Sequence, residues 1–300
     1  MTTIVRTRDN QADGSPPVAH TVKLTASTVD ILDACRLRYQ RTVLLRDAKT
    51  ERSSNEPPQG ASNPLRRSMS AHRALAVFNR TLMTEGRRPD VDRLIQSLWP
   101  PRRTATSETE ETVTFVQACL HAYDEYLALS DLRPIAAEHV IVTPQRRILG
   151  HGDVTVALTG RIDVVHRVSS GASNAQDNPD RARKAGLVAC DFKCSHNGGS
   201  LPLAQEMAEL ASSTVTHLLL DYFYPEASSI EIMRLLLPGG HFVRIQLSSD
   251  MLNSGRECLR QLALDVARGD DTPHVSEACG TCAYLTWCPA HYRPDADGQF

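Results

Sequence analysis

The order of apolar and polar positions divides the chain into a helical first half and an alternating second half. From Ser68 to about Glu85 apolar residues recur at helical spacing, with Leu75, Phe78 and Leu82 on one face and His72 a turn ahead of them. A segment from Asp90 to Leu98, closed by Pro100 and Pro101, and another from about Glu108 to Leu129 continue that period. An earlier helix is expected from near Ser27, where Ser-Thr-Val-Asp forms a candidate capping box, through Ile31 and Cys35 to about Leu45. After Pro134 the period drops to two: Val140 and Val142 define one strand, and Val154, Val156, Leu158, Ile162 and Val164 the next. If that strand is regular, Asp163 faces away from all of these aliphatics. Leu-Val-Ala-Cys-Asp-Phe-Lys then places Asp191 and Lys193 on one face of a strand, with Val188, Cys190 and Phe192 on the other. A helix is expected over Leu201–Phe223, a hairpin from Ile230–Leu237 and His241–Leu247 around Pro238-Gly239-Gly240, and a last helix over Asp250–Arg268.

Helices first, a small mixed sheet in the middle and a helix crossing back predict an α/β fold. The 300 residues, 41% of them hydrophobic, suffice for one large domain, taken as 21–300 behind a polar tail at 1–20. Residues 47–64 and 169–186, rich in Ser, Asn, Gly and Pro or Asp, read as long loops. A net charge of −2 excludes a polycation, so nucleic-acid affinity would need a local groove. Arginine pairs at 66–67, 87–88, 102–103 and 146–147 could line one, although solvated helix faces explain most of them. With no apolar leader and no bilayer-spanning run, the expectation is a cytoplasmic protein without a membrane partner, its cysteines held as thiols or metal ligands. No phosphate-binding Gly-x4-Gly-Lys-Ser/Thr loop occurs.

Two aspartates and a lysine on neighbouring strands are candidates for a metal and phosphate site, because carboxylate oxygens suit hard ions such as magnesium. A surface ion pair is the plainer explanation of Asp-x-Lys taken alone. A second constellation is Cys-Gly-Thr-Cys-Ala-Tyr-Leu-Thr-Trp-Cys-Pro at 279–289, three thiols in a turn-rich segment. With Cys35 as fourth ligand, Cys279, Cys282 and Cys288 would hold either zinc or an iron–sulfur cluster, which spacing does not separate. Cys119, Cys190, Cys194 and Cys258 sit in apolar or strand settings and read as packed thiols.

Taken in order, these segments resemble the PD-(D/E)XK nuclease superfamily, and within it RecB-type exonucleases with an iron–sulfur cluster, such as the CRISPR-associated exonucleases and the AddB nuclease domain. Leu24–Tyr39 is similar to the opening helix with its first cluster cysteine, and Ser70–Leu75 to the helix bearing a metal-binding histidine, here His72. Ala-Ala-Glu-His at 136–139 resembles a strand with the family's acid, here Glu138. Gly-Arg-Ile-Asp at 160–163 and Asp-Phe-Lys at 191–193 resemble the two sheet motifs. The resemblance implies a restriction-endonuclease-like core and a 4Fe-4S cluster on Cys35, Cys279, Cys282 and Cys288, with zinc as the alternative. It further implies magnesium or manganese held by His72, Asp163, Asp191 and the Phe192 carbonyl, with Lys193 and Glu138 completing the catalytic set. The implied activity is phosphodiester hydrolysis at single-stranded DNA or DNA ends, in repair, recombination or CRISPR-type processing, with a helicase or CRISPR integrase as possible partner. A catalytically silent DNA-binding or assembly subunit is the rival reading. Two departures stand out: the insert between Asp163 and Asp191 is long, and the family's Gln-x3-Tyr helix motif has only Gln205 with Glu209, or Ser213 with His217, to match it.

Overall fold

A computed structural model describes residues 20–40, 63–100, 107–148, 151–168, 185–194, 210–276, 279–280, 282, 284–285 and 288–290. The expected tail, both long loops, Gln205, Glu209 and Trp287 lie wholly or almost wholly outside them. The helices are α1 (Ala26–Ala34), α2 (Arg36–Tyr39), α3 (Asn63–Glu85), α4 (Val91–Leu98), α5 (Ser107–Leu129), α6 (Leu210–Phe223) and α7 (Ser249–Arg268). The strands are β1 (His20–Thr25), β2 (Leu132–Val142), β3 (Arg146–Ile148), β4 (His151–Val168), β5 (Leu187–Cys194), β6 (Ile230–Leu237) and β7 (His241–Ile245).

The seven strands make one mixed sheet in the order β1-β4-β5-β6-β7, with β2 and β3 also paired to β4. Helices cover both faces. One core packs α3, α4 and α5 on Val164, Val188, Cys190, Phe192, Met233 and Leu235. The other packs α1, α6 and α7 on Val22, Leu24, Ile162, Val165, Leu187 and Ala189. A strand buried on both faces needs apolar residues at consecutive positions, and Leu187–Cys190 supplies four of them. The restriction-endonuclease-like α/β architecture expected from the sequence is therefore present.

Three local expectations change. The first strand, β1, was not anticipated; it pairs parallel to β4 over Val154–Thr159 and leads straight into α1. The capping box forms earlier than expected, between Thr25 and Thr28, whose side chains and backbone N–H groups pair reciprocally. The first helix also does not run unbroken past Cys35. That residue is extended (φ −169°), ends α1 and caps α2 through its sulfur, which accepts from the Arg38 N–H at 3.5 Å.

Behind the sheet lies a directed polar chain. The Tyr123 hydroxyl donates to Asn79 Oδ1 at 2.7 Å, so the tyrosine oxygen itself accepts from His166 Nε2–H at 2.9 Å. Asn79 in turn donates to the Leu75 carbonyl at 2.8 Å. All three side chains are buried, and burial holds the His166 imidazole down at about 4. At the α6–α7 crossing, Gly255 lets the helices touch: a Cβ there would lie 2.0 Å from Thr214 Oγ1 and 2.9 Å from its Cβ.

Because His166 is neutral when folded but titrates near 6.5 when unfolded, its contribution to stability is intact above pH 6.5 and is lost as the pH falls towards 4. Chemical denaturation across that range should show unfolding taking up about one proton more in the wild type than in His166→Gln. Gly255→Ala should cost about 1–3 kcal/mol by overpacking the helix crossing, seen as a lower denaturation midpoint at unchanged m-value.

Candidate active site at the strand fork

The long strand β4 has two partners in succession on its path through the sheet. It pairs with β1 up to Thr159, and antiparallel to β5 from Val164↔Cys190 to Arg167↔Leu187. Between these stretches lies Gly160–Asp163, and beyond Cys190 the strand β5 departs from β4. The Asp163 carboxylate fills the fork: its Oδ2 accepts the Phe192 N–H at 2.9 Å. A side-chain oxygen thus does there what a ladder carbonyl does elsewhere.

The strand is not regular at this point. Val154, Val156, Leu158 and Ile162 pack in the α1/α6/α7 core, yet Val164 lies in the α3/α4/α5 core. One residue of slip therefore falls between Ile162 and Val164, and Asp163 does not oppose Val164 as strict alternation requires. The partner strand shares the irregularity. Glu138, opposite Asp163 in register, has φ +52°, a left-handed conformation rare in residues with a Cβ. Its carboxylate pairs with Arg161 at 3.0 Å. Gly160 is needed at the same place, since a Cβ would stand 2.6 Å from Leu219 Cδ1 of α6.

His72, on α3, approaches from the other side. Its Nδ1 lies 3.4 Å from Asp163 Oδ2, and its ring meets Phe192 edge-on at 6.2 Å. Burial works against the imidazolium, but the Asp163 carboxylate and the Cys194 side chain outweigh it and push His72 up to about 10. A metal bound here would take the place of that proton. Cys194 itself, first through its contact with Cys119 and then by burial, is held far up as a neutral thiol.

Asp191 and Lys193 share a face as the period of two requires, and their side chains pair at 2.8 Å. A residue that the motif reading missed joins them. Arg234 of β6, only 4% exposed, stands beside Asp191 in the parallel register and sets its Nε 3.8 Å from Asp191 Oδ2. The available signal was a lone basic residue in the apolar run Ile232–Leu237. Arg234 Nη2 also donates to Ser213 Oγ at 3.4 Å. Ser213 is therefore buried against Arg234 rather than offered to a substrate.

The structure thus brings His72, Asp163 and the Phe192 backbone together, pairs Asp191 with Lys193 one residue away, and ties Glu138 to Arg161. Among the described residues no three His, Cys, Asp or Glu side chains meet closely enough to hold a metal ion. The donor set nonetheless suits a hard divalent ion, which needs one or two carboxylates and otherwise water and phosphate oxygen. The contacts described fall on Oδ2 of each aspartate.

The cysteine segment lies beside the first helices. Ser276 Oγ donates to the Ala34 carbonyl at 3.5 Å, and Arg36 pairs with Asp265 at 3.0 Å. Successive bonds from Cys279 N–H to Ser276, Cys282 to Cys279, Leu285 to Cys282 and Cys288 to Leu285 wind this segment into tight turns. Cys35, the expected fourth ligand, is buried at 9% exposure. None of the described helices is long and apolar enough to cross a membrane.

No curated protein sequence matches the chain. Among solved structures, the protein SSO0001 is similar in fold at 12% identity and a TM-score of 0.37, covering 90% of this chain and 87% of its own. A protein of Eubacterium rectale named as a presumptive exonuclease is similar at 10% identity and a TM-score of 0.41, covering 87% of each chain. The profile of one family matches residues 23–289, from β1 through the last cysteine, and with both sheet motifs meeting at the fork the chain belongs to the PD-(D/E)XK nuclease superfamily.

Proposed function

We propose that this protein is a metal-dependent DNA nuclease of the RecB-type, cluster-bearing branch, acting as an exonuclease on single-stranded DNA or DNA ends. The observation that supports it most is the fork itself. Asp163 is fixed by the Phe192 N–H and His72, and the next residue on β5, Asp191, carries Lys193 at its side.

In this reading Asp163, Asp191, the Phe192 carbonyl and His72 hold magnesium or manganese. The ion would lower the pKa of a bound water and neutralise charge on the scissile phosphate. Lys193, half exposed and paired to Asp191, orients the attacking water, helps to deprotonate it, or stabilises the crowded phosphate in the transition state. Glu138 would join the catalytic set only by leaving Arg161.

Cys35, Cys279, Cys282 and Cys288 are proposed to hold a 4Fe-4S cluster, or zinc in its place. Thiolate chemistry accepts either group, and Ser276, three residues before Cys279, bonds to Ala34, the residue before Cys35. The four thiols would join α1 to a segment more than 240 residues away in sequence, so loss of a ligand removes a long-range closure. A helicase or a CRISPR integrase is the kind of partner such a nuclease would serve, and the cytoplasm its compartment.

With end-labelled single-stranded DNA and magnesium or manganese, the wild type should release nucleotides from an end. Asp191→Ala and Lys193→Ala should each lose at least about 10²-fold in kcat while still folding. Equal digestion by all three proteins, or none by the wild type, would defeat the catalytic reading and favour the silent DNA-binding subunit. In the protein purified without oxygen, Cys282→Ala should lower the melting temperature more than Asp191→Ala does. Iron and sulfide in the purified wild type with visible absorbance are expected, and colourless protein containing zinc would reject the cluster.

A further inference from the structure

The Arg234 guanidinium sits 4% exposed between β5 and α6. A buried cation is costly unless a counter-charge meets it. The carboxylate it meets is that of Asp191, 3.8 Å from Nε, while Nη2 reaches Ser213 Oγ at 3.4 Å from the helix side. Lys193 binds the same Asp191 oxygen at 2.8 Å. Oδ2 of Asp191 therefore lies between two cations: a half-exposed ammonium at hydrogen-bond distance on its own strand, and a buried guanidinium at ion-pair distance on the neighbouring one.

The two cations are not equivalent. Lys193 lies on a flexible stem and, in the proposed reaction, must move with the water or the phosphate. Arg234 is fixed by packing, by the β5–β6 register that sets Asp191 beside it, and by the hydroxyl of α6. When Lys193 turns to substrate, only the arginine of this pair remains on Oδ2. We propose that Arg234 is the positioning residue for Asp191: its buried charge, at ion-pair distance from Oδ2, holds the carboxylate in place for the divalent ion. The inference rests on the nuclease reading for the identity of the site, and it makes α6, through Ser213, the rear support of the metal ligand. Outer groups that orient a ligating carboxylate are typically worth about 10–100-fold in metal affinity or activity.

The test uses the full chain as wild type, Arg234→Lys, Arg234→Met and Ser213→Ala. Manganese binding is measured without DNA by electron paramagnetic resonance of the free ion, and cleavage is measured separately as kcat and KM. Arg234→Met should weaken manganese binding by about tenfold and lower kcat, with KM for DNA within about twofold of wild type; Arg234→Lys should recover most of both. If Arg234→Met does not fold, Ser213→Ala carries the test, with a manganese affinity reduced about threefold. Manganese binding unchanged in the folded variants, with only a lower melting temperature, overturns the inference, as does a wild type that binds no manganese. A wild type that binds manganese, loses affinity on Arg234→Met and yet cleaves no DNA would retain the positioning role and sink the nuclease reading.

Discussion

A single hydrogen bond, from the Phe192 N–H to the Asp163 carboxylate, decides how the centre of this sheet is built. Where β4 and β5 part, each strand would expose backbone groups that no neighbour satisfies. Asp163 answers that need with a charged acceptor, which makes a stronger bond than a carbonyl would. The same bond holds an acid at the one place in the sheet where side chains from both strands and from α3 converge. Structural necessity and proposed chemistry therefore coincide in one carboxylate.

The irregularities around it follow from the fork. The slip between Ile162 and Val164 turns the strand so that Asp163 and Val164 both serve the α3 side, and on β2 the left-handed Glu138 interrupts the ladder while the register on either side, Ala137↔Val164 and His139↔Ile162, is kept. Such conformations cost on the order of 1 kcal/mol or more and persist only where surroundings enforce them. Here the enforcement comes from two helix layers pressing on a strand buried on both faces. Gly160 leaves room for the Leu219 side chain of α6 at the same point.

Charge is arranged in pairs about the fork: His72 with Asp163, Lys193 and Arg234 with Asp191, Arg161 with Glu138. Each acid is thus met by at least one cation before any metal arrives. The rear of the site is rigid. Phe192 stacks edge-on against Tyr123 at 5.0 Å, and Tyr123 is locked by Asn79 and His166. Motion, if the site needs it, is left to the half-exposed Asp191 and Lys193 side chains at the front.

Much of this was written in local pattern. Period two alone put Asp191 and Lys193 on one face, helical period placed His72 on an amphipathic helix, and Cys-x2-Cys-x5-Cys marked the terminal turns, because each depends only on residues a few positions apart. The motifs' order along the chain carried the family. What the pattern could not carry was anything set by strands distant in sequence. The face slip at Asp163 falls where β4 passes from one partner to the other, and the break at Cys35 is a turn to extended backbone inside a run that reads as one helix. Arg234 read as one charge in an apolar run until the parallel β5–β6 register, across a separation of 43 positions, set it against Asp191. Local spacing fixes which side of an element a residue occupies; only the packed sheet determines what stands opposite it.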